Sequence, residues 1–304
     1  MKIQTVCGEV ESSELGNTLI HEHILCTGPE FAGEYADWLP EKKVLEIACK
    51  KIRFAADRYG LKTLVDGTPL ALGRKLSLLR RISEETRVHI IASAGFYHYN
   101  SFPVLILPEQ KIAEFMIREI QCGSIRPGML KCAVDADGVT AHVRKMMKIT
   151  ALVQKETALP IFIHTHSANR TGVAALDLLL EEGVSPEKII AGHVADSNDL
   201  SYPLKLLEKG CFVSVDRITP ENALRKGTFA LELIRRGWEK KLFLTHDHVC
   251  CWDTILCDPP VCQGEPHGLD TIHECILPML QENGISADTL KQIFQKNFCT
   301  LYQG

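Results

Sequence analysis

Eight short runs rich in β-branched residues recur along the chain, with longer stretches of helical period between them, and no other pattern restricts the fold as strongly. The runs lie at 17–25 (NTLIHEHIL), 61–66 (LKTLVD), 89–97 (HIIASAGFY), 129–135 (MLKCAVD), 160–166 (PIFIHTH), 189–195 (IIAGHVA), 211–217 (CFVSVDR) and 241–248 (KLFLTHDH). Helical stretches are expected at 41–59, 74–86, 109–122, 141–157, 173–182, 200–209 and 221–236. Their apolar residues fall three and four apart, as in Val44, Ile47, Ala48 and Ile52, with charge on the opposite face. Gly60, Gly183, Gly210 and Gly237 each stand where a left-handed cap would close a helix before the next strand. Strand–helix alternation builds a parallel sheet, and eight such units close on themselves. The expected fold is therefore α/β, a (β/α)8 TIM barrel, with residues 1–304 forming one domain.

A chain of 304 residues with 45% hydrophobic and 24% charged residues buries enough surface to fold without disulfides or a structural metal, so a metal found here would serve chemistry. The balance of 34 Lys and Arg against 38 Asp and Glu, with no run of five like charges, argues against a nucleic-acid partner. No signal-like apolar N-terminus and no 18-residue apolar window occur, so a soluble, cytoplasmic protein without membrane contact is expected. The 12 cysteines are scattered and read as reduced, small hydrophobes. Cys257 and Cys262 lack a second ligand pair nearby and read as free thiols.

The histidines carry the functional signal. His21-Glu22-His23 ends the first run, His164 and His166 the fifth, His193 lies in the sixth, and His246-Asp247-His248 ends the eighth. Side chains at i and i+2 of a strand share a side, so His21 and His23 can hold one ion together. A single strand histidine is ordinarily a hydrogen-bonded core residue. Several at one end of a barrel, with Asp247 to supply negative charge, describe a metal site at the face where barrel enzymes keep their chemistry.

The segments TLIHEHI (18–24), LVDGTPLALGR (64–74), AGFY (94–97), GMLKCAVD (128–135), IHTHSANRTG (163–172), GHVADSNDLSY (192–202) and LTHDHVCCW (244–252) together resemble the phosphotriesterase family of the amidohydrolase superfamily. The resemblance implies a binuclear centre. His21, His23 and Asp247 would hold the more buried ion, His164 and His193 the more exposed one, and Lys131 would bridge both as a carbamate. Taken alone, a barrel lysine would be expected to pair with an acid such as Asp135. His164 is preferred to His166 because the family ligand lies eight residues before the glycine matching Gly172. His246 and His248 flank Asp247 and are expected to be structural or wall residues. Zinc is the default metal; manganese, cobalt and iron suit the same donors.

By the same resemblance, two ions roughly 3.5 to 4 Å apart share a hydroxide that serves as nucleophile. Asp247 would take its proton, and Asp196 matches a relay carboxylate, although a helix N-cap fits that position equally. Tyr97 and Arg217 match residues of lactone-hydrolysing members, as does the Cys250-Cys251 pair. The expected activity is hydrolysis of lactones or related carboxylic esters, with phosphotriester hydrolysis as a side reaction. The alternatives are a phosphoester or amide hydrolase using the same centre, and a barrel that binds a small ligand without turning it over. Relatives of this fold are often dimers, and the sequence itself leaves a homodimer open without specifying it. Residues 121–128 are shorter than the family pattern, and the 253–274 loop, which would shape the leaving-group pocket, is this chain's own.

Overall fold

The computed structural model describes residues 1–35, 38, 40–252 and 268–303. Strands β1 (Lys2–Thr5) and β2 (Gly8–Glu11) form an antiparallel hairpin ahead of the repeating units. The parallel sheet then runs through β3 (Asn17–Cys26), β4 (Leu61–Asp66), β5 (His89–Gly95), β6 (Met129–Val134), β7 (Ile161–Thr165), β8 (Ile189–Ala191), β9 (Phe212–Val215) and β10 (Leu242–Leu244). Each strand pairs in parallel with the next.

The eighth strand is broken in two. Its first half, β10, pairs with β9; its second, β11 (Val249–Trp252), pairs in parallel with β3. The break falls at Asp247, whose φ of 55° no regular strand accommodates. Across the break, Asp247 N donates to His21 O at 3.0 Å and His23 N donates to His248 O at 2.8 Å, so backbone bonding continues from the eighth strand to the first. That continuity makes the sheet a TIM barrel.

Every barrel strand contributes one side chain to a plug beneath the mouth: Ile20, Val65, Ile91, Met129, Phe162, Ile190, Phe212 and Phe243, all essentially buried. Each such burial contributes about 1.5–3 kcal/mol. Ile3, Leu15, Phe298 and Leu301 close the bottom. Two residues beyond the plug, along the same inward row, stand Lys131 and His164. In β3 the register shifts between Leu19 and Glu22, which turns His21 and His23 inward although Ile20 also faces the plug.

Helices Glu41–Tyr59, Glu109–Cys122 and Ala141–Thr157 occupy the expected ranges, and Leu76–Thr86, Thr171–Glu181, Ser201–Glu208 and Ala223–Arg235 lie within one or two residues of them. The four linking glycines all have positive φ. The periodicity did not single out the hairpin, the short helix Phe102–Ile106 or the two π-turns, Ile272–Ile276 and Gln292–Lys296, in the C-terminal helices. Among the described residues no helix is long and apolar enough to cross a membrane. Cys257, Cys262 and most of the 253–274 loop lie outside the described residues.

Candidate metal centre

The C-terminal ends of the strands surround a cavity of about 590 Å³, lined by His21, His23, Lys131, His164 and Asp247 and, nearer the mouth, by Tyr97 and Arg217. His21 Nε2 and His23 Nε2 lie 3.4 and 3.1 Å from Asp247 Oδ1. Ligand atoms around one tetrahedral zinc stand about 3.3 Å apart, so these three converge as a metal's donors would. Lys131 Nζ is 2.6 Å from His21 Nε2 and 4.3 Å above the Phe162 ring. Gly67 makes room for this group: a Cβ there would meet His21 Cδ2 at 2.6 Å.

His193 Nε2 and His164 Nδ1 face each other at 2.8 Å. The far nitrogen of each ring meets a carboxylate: His193 Nδ1 lies 2.8 Å from Asp216 Oδ1, and His164 Nε2 lies 3.3 Å from Asp135 Oδ2. Each carboxylate draws the ring proton to its own side, which leaves two lone pairs aimed at one another. A metal ion between or beside them would relieve that repulsion, as a shared proton does in its absence, so this pair fits a second ion.

Carboxylates that the HxH and HDH spacings did not single out hold the ligands in place. Asp216, fully buried, also accepts the His193 backbone N–H, and its Oδ2 stands 3.5 Å from His21 Nδ1, a nitrogen with no hydrogen bond among the described residues. One carboxylate thus faces a ligand of each group. Glu22 accepts from Thr245 Oγ1, His246 N and His248 N at 2.7–2.8 Å and pins the broken strand on both sides of Asp247. Thr68 Oγ1 meets His23 Nδ1 at 2.8 Å, and Asp66 in turn accepts Thr68 N and Ile24 N. A carboxylate beside a strand-end arginine, as in Asp216-Arg217, was the available signal for the first of these.

Electrostatics agree with cation binding. Burial lowers His21 to about 3 and, with His193 adjacent, holds His164 well below the ordinary imidazole range. Burial also lowers Lys131 to about 8, against the pull of Asp247 and Asp216. Burial alone would raise Asp247, but His21, His23 and His193 around it hold it well below the carboxylate range. His23 moves the other way: burial would lower it, yet Cys26 and Asp247 outweigh burial and lift it to about 10. A proton on His23 therefore stands where a cation would sit between it and Asp247.

Among the described residues, His193, Arg217 and Asp247 account for three of the six non-glycine residues with positive φ, at 61°, 52° and 55°. Each costs about 1–3 kcal/mol, and such strain gathers where a site dictates the backbone.

The remaining sequence candidates fall as follows. Tyr97 lies two residues past β5 with its ring 5.0 Å from His164, and burial together with Asp135 raises its hydroxyl above the ordinary range, so it stays protonated at neutral pH. Arg217 Nε donates to Asp247 Oδ2 at 3.3 Å and Nη1 to Asp196 Oδ2 at 2.7 Å. Asp196 does not cap the next helix; Asp199 Oδ1 accepts Ser201 N there. Asp135 pairs with His164 and His98 rather than with Lys131. His166 takes no part in the centre; its ring accepts Asn169 N. His246 is wedged between Glu22 and Ile272 N, and His248 forms cavity wall beside Lys51.

A model of the phosphotriesterase family matches residues 1–301. The chain belongs to the phosphotriesterase family. An aryldialkylphosphatase of Saccharolobus solfataricus is 30% identical over 299 residues, covering 95% of each protein. The solved structure of the phosphotriesterase from Mycobacterium tuberculosis superposes with a TM-score of 0.91 at 27% identity, covering 100% of this chain and 98% of that one. An N-acetyltaurine hydrolase of Danio rerio is 24% identical over 344 residues, covering 97% of this chain and 96% of that protein. This phosphotriesterase-family member is a hydrolase. The family is binuclear metal-dependent, and two groups here, His21, His23 and Asp247 and also His21, His193 and Asp216, lie close enough together to hold a metal ion.

Proposed function

We propose that this hydrolase, acting as one barrel domain over residues 1–304, opens lactones or cleaves related carboxylic esters at a centre of two divalent ions, zinc by default. His21, His23 and Asp247 would hold one ion, His164 and His193 the other, with carbamylated Lys131 between them. A buried lysine lowered to about 8 keeps part of its amine neutral near pH 7. The neutral amine adds to carbon dioxide and releases one proton, which turns a cation into a carboxylate ligand. When bound, the ions polarise the scissile carbonyl and supply a hydroxide nucleophile at neutral pH.

The chain's own groups do the rest. Asp247 takes the proton released on attack. The Tyr97 hydroxyl donates to the ring oxygen as the C–O bond breaks, and Arg217 holds the oxygen that becomes anionic. The placement of Tyr97 and Arg217 on the cavity wall, beside His164 and Asp247, is the observation that carries the reading. The likeness to an aryldialkylphosphatase supports phosphotriester hydrolysis as a side reaction. The likeness to an N-acetyltaurine hydrolase favours amide cleavage as the second reading.

Proton release from metal-loaded protein, measured with γ- and δ-lactones, aryl esters and a phosphotriester, together with primary-amine release from an N-acetylated amino sulfonate, separates these readings. Tyr97→Phe should lower lactone turnover by about 10²-fold or more, in the range of a lost general acid, and change phosphotriester turnover little. Fast amide cleavage with no lactone turnover would replace the first reading by the second.

A further inference from the structure

Lys226 lies in helix Ala223–Arg235 and is 1% exposed, an unusual place for an ammonium. Its Nζ donates to Asp196 Oδ1 at 2.6 Å, while Arg217 Nη1 donates to Asp196 Oδ2 at 2.7 Å. Arg217 Nε then reaches Asp247 Oδ2 at 3.3 Å. A single chain of charge runs from a buried helix lysine, through the loop after β8, to the second residue after β9 and on to a proposed metal ligand. The start of the same helix fixes both loops: Asn222 Nδ2 donates to Arg217 O at 2.8 Å, and Arg225 Nη1 donates to Ala195 O at 2.8 Å.

A proton-relay carboxylate needs an oxygen that can receive a proton and a path from the donor. Each Asp196 oxygen is bound to a full positive charge. The guanidinium, which does not give up its protons in proteins, stands between Asp196 and Asp247. We propose that Asp196 is a strut and that Lys226 is a positioning residue: together they hold the Arg217 side chain against Asp247 at the mouth of the cavity. Arg217 Nη2 has no hydrogen-bond partner among the described residues, so the fixed guanidinium keeps donors for an oxygen of the substrate. The kinetic consequence rests on Arg217 meeting substrate as proposed above; the geometric one does not.

Lys226→Met, Asp196→Asn and the double variant test this in the metal-loaded protein, with thermal melts confirming that each is folded. Labelling of Arg217 by phenylglyoxal, read by peptide mass spectrometry, reports its restraint without any substrate. The strut predicts several-fold faster labelling in both single variants. It also predicts a fall of about tenfold to a hundredfold in kcat/KM, as for a displaced binding group, no further fall in the double variant, and an unchanged pH profile. Wild-type labelling and kinetics in Lys226→Met, beside an Asp196→Asn that loses kcat and a limb of its pH profile, would overturn the strut in favour of a relay. If the wild type hydrolyses no lactone, the substrate reading fails, and the labelling rates alone decide the strut: unchanged rates overturn it.

Discussion

Asp216→Asn is the most informative single change, because one buried carboxylate faces histidines of both proposed donor groups. Oδ1 accepts His193 Nδ1 at 2.8 Å and the His193 backbone N–H at 3.0 Å, while Oδ2 faces His21 Nδ1 at 3.5 Å. A carboxylate favours an N–H on both facing imidazole nitrogens, which leaves Nε2 of each ring as a lone pair. An amide has only one oxygen. With that oxygen toward His193, the NH₂ faces His21 Nδ1 and drives the proton to His21 Nε2, the atom that stands among Lys131 and Asp247. In the flipped orientation the misplaced proton falls on His193 Nε2, opposite His164. Either way one ligand is lost while volume and packing are kept. Loss of such an outer partner lowers metal affinity by about 10- to 100-fold, equal to about 1.4–2.8 kcal/mol. Competition with a chromogenic chelator should therefore show one tight and one weakened equivalent where the wild type shows two tight ones. Two undiminished sites in Asp216→Asn would refute the tautomer argument. Asp216→Ala would additionally strand the His193 N–H, at a cost of about 1–3 kcal/mol in the melt of the metal-free protein.

Two further substitutions probe the frame around the centre. Gly67→Ala places a methyl 2.6 Å from His21 Cδ2, so chelator competition should show weaker metal binding, and overpacking should destabilise the fold by about 1–3 kcal/mol; unchanged affinity would mean that the His21 ring has room to move. His273, stacked on Tyr59 at 4.7 Å with its Nδ1 unpartnered, is lowered by burial to about 4. The unfolded chain, protonating near pH 6.5, binds the proton more tightly, so this histidine's contribution is complete above pH 6.5 and declines as the pH falls toward 4. At pH 5 the loss is up to about 2 kcal/mol, and His273→Phe should shrink the fall in Tm between pH 7 and pH 5; a fall equal to the wild type's would contradict the assignment.

The repeating units were legible because period and punctuation agree: inward rows such as Met129 and Lys131, or Phe162 and His164, obey the two-residue repeat, and glycine caps mark where each helix stops. The inward placement of His164 follows the same repeat, whereas His21 and His23 face inward through the register shift in β3. Glu22, Asp216 and the break at Asp247 were not legible. Glu22 sits as the spacer of an HxH and earns its place from partners more than 220 residues away, a pairing no local pattern encodes. Asp216 lies beside Arg217, and only the tertiary arrangement shows which of the two faces the histidines. A non-glycine residue at positive φ leaves no trace in composition, so the run 241–248 reads as one strand through Asp247, and β11 beyond it goes unmarked. Asp196 matched a relay by position, and its two cationic partners, Lys226 and Arg217, come from later units of the chain.

The central claim is that two ions on these histidines, with Lys131 between them, perform the hydrolysis. Metal-free protein titrated with zinc or manganese under bicarbonate, while turnover of a γ-lactone is followed by proton release, tests it directly. Activity should rise to a plateau at two equivalents per chain, with Lys131→Ala inactive and the intact mass of the loaded wild type increased by one carbon dioxide on Lys131. Full activity without metal, a plateau at one equivalent, or an active Lys131→Ala would contradict it.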